Sequence, residues 1–129
     1  MKVFVDACMK PTKLLCVVVD SGEVLVSFHV GQTHNQAEYM AIQRAVFSFP
    51  APKLEIYSDS ELAVNQINSA LGRRKLYKCN NPQLHILLKV IIEEVGLRER
   101  AKEMINFFWI PRENNPAGQE LERRKKDVS

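Results

Sequence analysis

Three acids in this chain stand at points where the backbone changes direction, and together they suggest metal chemistry. Asp6 closes the apolar run Val3-Phe4-Val5, and Glu38 falls in the opening turns of a helical pattern. Asp59 follows Leu54-Glu55-Ile56-Tyr57-Ser58 and precedes Glu61-Leu62-Ala63-Val64. Alternation before Asp59 marks a buried strand, and the spacing after it marks a helix. Asp59 therefore sits at the rim of a sheet, where ligands collect. The competing reading is an ordinary helix N-cap, a position that favours Asp and Ser. Bare carboxylates gathered at one rim raise each other's pKa and are unfavourable without a cation. Ligand sets made only of oxygen suit Mg²⁺ or Mn²⁺ rather than zinc. Such ions activate water and stabilise a leaving oxygen in phosphodiester cleavage. The plain alternative is that the three acids are solvated surface residues.

The rest of the chain has to position these acids. Its 129 residues fit one domain, residues 1–129, with a substantial core. Hydrophobic residues make up 46% and charged residues 26%, as in soluble globular proteins. No apolar run approaches the roughly 18 residues of a membrane span, and Asp6 interrupts the N-terminus too early for a signal peptide. Cys8, Cys16 and Cys79 are odd in number and lack CxxC spacing, which argues against a disulfide framework or a zinc site. A monomer in the reducing cytoplasm is the expectation. The net charge of +3 is mild, but it gathers in Arg73-Arg74-Lys75 with Lys78, and again in Arg123-Arg124-Lys125-Lys126.

Read in order, Val3–Cys8, Lys13–Val19 and Val24–Val30 are strands joined by tight links, an antiparallel meander. Thr33 is placed to cap a helix from about Asn35 to Phe49, which Pro50 and Pro52 stop. The strand ending at Ser58 and its helix follow, closed by Leu71-Gly72. Pro82 opens a third helix that Gly96 is expected to close. Met104–Ile110 is a last strand with Trp109 in the core, and Ala117–Lys126 a short basic helix. This order predicts an α/β fold, a mixed five-stranded sheet of three antiparallel strands and then two parallel, with helices on both faces.

Four segments in this order resemble type 1 ribonuclease H: Val5-Asp6-Ala7-Cys8, Thr33-His34-Asn35-Gln36-Ala37-Glu38-Tyr39, Ile56-Tyr57-Ser58-Asp59-Ser60, and Trp109-Ile110-Pro111-Arg112-Glu113-Asn114-Asn115. The resemblance spans nearly the whole chain. It implies a ribonuclease H-like fold and hydrolysis of the RNA strand of an RNA/DNA hybrid with one or two Mg²⁺ or Mn²⁺ ions. By matched position, Asp6 would bridge the metals, with Glu38 and Asp59 holding the second. Glu38 would also face the 2′-hydroxyl that distinguishes RNA from DNA. Asn35 would contact the minor groove, with Ser60 and Glu61 beside it on the substrate side. Arg73, Arg74 and Lys75 are candidate phosphate contacts.

The family pattern breaks at its fourth carboxylate, an Asp opening the last helix. Counted from Trp109, Gln119 takes that place, and a shift of one residue offers Gly118. A neutral amide lacks the charge that holds a divalent ion. Two readings follow from the sequence. One is a ribonuclease H weakened at Gln119. The other is a catalytically inactive module of the same fold that binds nucleic acid or protein.

Overall fold

The computed structural model describes residues 1–128, for 127 and 128 the backbone alone, so Ser129 of the expected domain lies outside the described residues. The chain runs β1 (Lys2–Cys8), β2 (Leu14–Val19), β3 (Val24–Phe28), α1 (His34–Ser48), β4 (Lys53–Ser58), α2 (Glu61–Ala70), α3 (Pro82–Arg100), β5 (Met104–Trp109) and α4 (Pro116–Val128), with a 3₁₀ turn at Arg112–Asn114. The five strands form one sheet in the order β3-β2-β1-β4-β5. β1, β2 and β3 pair antiparallel, and β1, β4 and β5 pair parallel. This is the expected mixed sheet. Among the described residues no helix is long and apolar enough to cross a membrane.

The pleat sorts β1 between two layers, because successive side chains point to opposite faces. Val3, Val5 and Ala7 turn to one face. There, with Leu54, Ile56, Ile105 and Phe107, they pack against α1, α2 and α3. Phe4 and Cys8 turn to the other face, where Ala117 and Leu121 of α4 cover Cys8 and Cys16. Asp6 shares the parity of Phe4 and Cys8, opposite Cys16 in the β1–β2 register. The carboxylate therefore rises on the α4 side of the central strand. Each fully buried aliphatic side chain in these layers contributes about 2 kcal/mol.

Three departures from the sequence expectation have a visible side-chain partner. α3 does not stop at Gly96 but runs to Arg100. One interior glycine costs only about 1 kcal/mol, and the last turn brings in the buried Arg98. Arg98 donates to Val46 O at 2.8 Å and Ala51 O at 3.0 Å, and its Nε bonds Glu103 at 2.6 Å. β3 ends at Phe28 because the His29 ring turns to the Cys8 carbonyl at 2.8 Å. Trp109, expected in the core, is 48% exposed at the end of β5, its indole N–H directed at Asp59 O.

Arg98 ties the end of α3 to the α1–β4 connection. Arg98→Ala orphans two buried carbonyls and Glu103, and should lower stability by about 3 kcal/mol, read as the shift in urea midpoint at unchanged slope.

Candidate active site

Each of the three acids reaches the rim by a different route. Asp6 comes from the interior of β1. Glu38 lies in the second turn of α1, whose entry Thr33 fixes by accepting the Gln36 N–H at 3.1 Å. Asp59 follows the last residue of β4. Ser60, not Asp59, caps α2 by accepting the Ala63 N–H at 3.2 Å, so the Asp59 carboxylate is free of capping duty. One oxygen of each acid lies within 4.8 Å of the others. The sequence could list these acids, but only the fold shows them as one cluster.

Burial makes the cluster costly. Asp6 is 4% and Glu38 1% exposed, and neither Glu38 carboxylate oxygen has a hydrogen-bond partner. His34 Nε2 lies 3.2 Å from Glu38 Oε1, in ion-pair range, and 3.3 Å from Ala7 O; the Glu38 carboxylate raises the His34 pKa. Burial, followed by the charge of Glu38, pushes Asp6 up to about 7, against the lowering pull of the Ala7 N–H and Arg112. Asp59 is raised too, first by burial and then by Asp6, while an Asn115 hydrogen bond, Arg112 and His34 oppose the shift. A buried carboxylate beside two further carboxylates, with one imidazole in range, is what a hard divalent cation completes. The residues present fit such an ion.

The acids open onto a cleft of about 300 Å³ whose walls include His34, Asn35, Ser60, Glu61 and Arg112. Both α1 and α2 begin at this cleft, so their positive ends face it. Asn35, Ser60 and Glu61 thus line the same cleft as Glu38 and Asp59. Arg73, Arg74 and Lys75 do not. α2 carries them along the sheet to the start of β5, where Arg73 donates to Ile105 O at 2.7 Å. Ile105 pairs with Leu54, whereas Trp109, beside Ser58, marks the rim. The offset is roughly 13 Å of strand. Arg74 Nε donates to Lys75 O, and its guanidinium lies over the Tyr77 ring.

Gln119 also stands apart from the acids. Its amide donates to Glu113 O at 3.1 Å, and the residue is exposed. Gly118 is the part of α4 that meets the cluster: a Cβ there would come 3.0 Å from Asp6 Oδ2 and 3.9 Å from Asp59 Oδ2. The helix approaches the carboxylates with bare backbone.

Two residues unassigned by the sequence reading complete the site. Asn115 is fully buried; its amide donates to Val5 O at 2.9 Å and Asp59 Oδ2 at 3.3 Å, and its oxygen accepts from Ala117 N. One side chain joins β1, Asp59 and the start of α4. The signal was present in Asn115-Pro116, a capping residue before a proline at the first helical position. Arg112 sets a positive charge against Asp6 and Asp59, and only the fold of its loop brings it there.

The raised Asp6 pKa carries a sign that stability can test. Because the folded state holds this proton more tightly than the unfolded chain, stabilisation is full below about pH 4 and is lost as pH rises toward 7. Without added metal, the melting temperature should therefore fall over this interval. Asp6→Asn should flatten that fall and give the more stable protein at pH 8.

A family model described as RNase H matches residues 1–120. Among solved structures, the chain is similar to RNase H1 from the halophilic archaeon Halobacterium salinarum. The TM-score is 0.65 at 20% identity, over 99% of this chain and 98% of that one. No curated protein matches. With the family match extending over most of its length, the chain belongs to the RNase H family.

Proposed function

We propose that this protein hydrolyses the RNA strand of RNA/DNA hybrids, with Asp6, Glu38 and Asp59 holding one or two Mg²⁺ or Mn²⁺ ions. The observation that carries the reading is the buried Glu38 carboxylate, gathered with Asp6 and Asp59 at an open cleft and faced by His34 Nε2 at 3.2 Å. A carboxylate so placed costs several kcal/mol if it stays charged and unpaired, a cost that a bound cation removes. When bound, the ion supplies Lewis-acid polarisation of a phosphoryl oxygen and acidifies a water.

The chain's own residues do the rest. Asp6, on the central strand, would be the shared ligand, and Asn115 holds Asp59 in orientation toward it. Arg112 and the starts of α1 and α2 give the cleft positive poles suited to a phosphodiester. Asn35 and Glu38, one turn apart on α1, are the groups proposed to meet the minor groove and the 2′-hydroxyl. The three unpaired cysteines, two of them buried, fit a reducing compartment such as the cytoplasm.

A second reading has its own observation. Gly118 faces the acids without a side chain, and Gln119 bonds Glu113 instead. In that reading the domain binds hybrids without turning them over, short of the ligand that activates water.

Cleavage of a labelled hybrid with Mg²⁺ and with Mn²⁺ separates the two. The enzyme reading expects activity that falls at least about 100-fold in Asp59→Asn and rises in Gln119→Asp. A native protein that binds the hybrid but never cuts it, while Gln119→Asp does, establishes the non-cleaving module.

A further inference from the structure

The sheet has two edges, and they are treated differently. On β5 the carbonyls of Ile105 and Phe107 are taken by side chains, Arg73 at 2.7 Å and Asn68 at 3.1 Å. Those bonds block further strand pairing. β3 has no such guard. Its inward hydrogen bonds fall on alternate residues, as Val19 N to Glu23 O and His29 N to Lys13 O show. Within the β2–β3 register this leaves the N–H and C=O groups of Val24, Val26 and Phe28 pointing outward. Edge strands are usually protected by lysine, proline, a bulge or an inward charge. β3 reads Val-Leu-Val-Ser-Phe and carries none of these.

The surroundings are apolar as well. Phe28 is 79% and Val30 84% exposed. Beside them runs a groove of about 460 Å³ whose lining includes Leu15, Met40, Phe47 and Arg44. Soluble monomers seldom leave such an edge and groove uncovered together.

We propose that the occupant of this edge is a second copy of the chain, with β3 pairing antiparallel to its counterpart about a two-fold axis at Val26. The strand is self-complementary in this register. Val24 meets Phe28 of the copy, Leu25 meets Ser27, and Val26 meets itself. Every outward backbone group of the strand then finds a partner, and the Val24–Phe28 pair is a favourable aromatic and β-branched contact. The uncharged strand meets its copy without repulsion. At its start, Glu23 falls opposite His29 of the copy, and Arg44 lines the same groove as His29. The two sheets join into one, and both clefts stay open, since β2 and β1 separate β3 from Asp59 and its strand β4.

Sedimentation velocity over a concentration series tests this. The wild-type protein should move from the mass of one chain to twice that mass, with a dissociation constant on the order of micromolar. Phe28→Lys, at an exposed position, should weaken association at least about tenfold while leaving circular dichroism unchanged, and thermal unfolding unchanged at concentrations where both proteins are single chains. Val24→Glu combined with Phe28→Lys sets opposite charges across the two-fold axis and should restore the pair. A wild-type chain that stays single at high micromolar concentration overturns the proposal. So does a dimer indifferent to Phe28→Lys. A dimer that Phe28→Lys breaks and the double variant fails to restore overturns the antiparallel register.

Discussion

The constraint on which this structure turns is electrostatic: three carboxylates held close together, two of them out of water. Left to itself, such a cluster would be relieved by protonation or by rotation into solvent. Rotation into solvent is closed to Glu38, which the packing of α1 keeps buried. The fold spends core packing energy to keep the acids together. Burial of Val5 and Ala7 on one side of β1 and of Cys8 on the other leaves Asp6 no exit except the rim. The site is thus a stored electrostatic cost that a divalent ion would release.

Asn115 shows how the cost is contained. Its amide answers Asp59 and the backbone of β1 while its oxygen starts α4. The position of the last helix and the orientation of an acid are set by one residue, so they cannot vary independently. This coupling explains why α4 comes so near the cluster that a Cβ at 118 would press on Asp6 at 3.0 Å. It also makes the missing fourth carboxylate a matter of geometry as well as of residue type. A side chain at 118 would crowd Asp6, and one at 119 must leave Glu113 before it can reach the acids.

Basic residues teach the opposite lesson. Arg73, Arg74 and Lys75 look like a phosphate patch in sequence because they follow the helix that begins at Asp59. A ten-residue helix is about 15 Å long, and that length takes them to the far end of the sheet. There Arg73 serves the β5 edge. Arg112, a single arginine in a polar loop, has the better claim on the cleft. Proximity in sequence stands for proximity in space only over a turn or two.

Much of the fold was legible in the sequence because its signals are local. Alternation, helical spacing, Thr33 as a cap and Pro82 at a helix start each act over a few residues, and the resulting order of elements admits few sheets. The candidate acids were legible for the same reason, each set in or beside a local pattern that marks an element. What the sequence could not decide rests on long-range contact: that α3 runs through Gly96 to place Arg98, that Asn115 reaches Asp59, and that Gly118 rather than Gln119 faces Asp6. These depend on where backbones separated by fifty or more positions come to rest against each other, as Asn115 and Asp59 do. The sequence by itself determined the elements and the acids they carry. Only the tertiary structure, by burying Glu38 beside Asp6 and Asp59, made those acids a site.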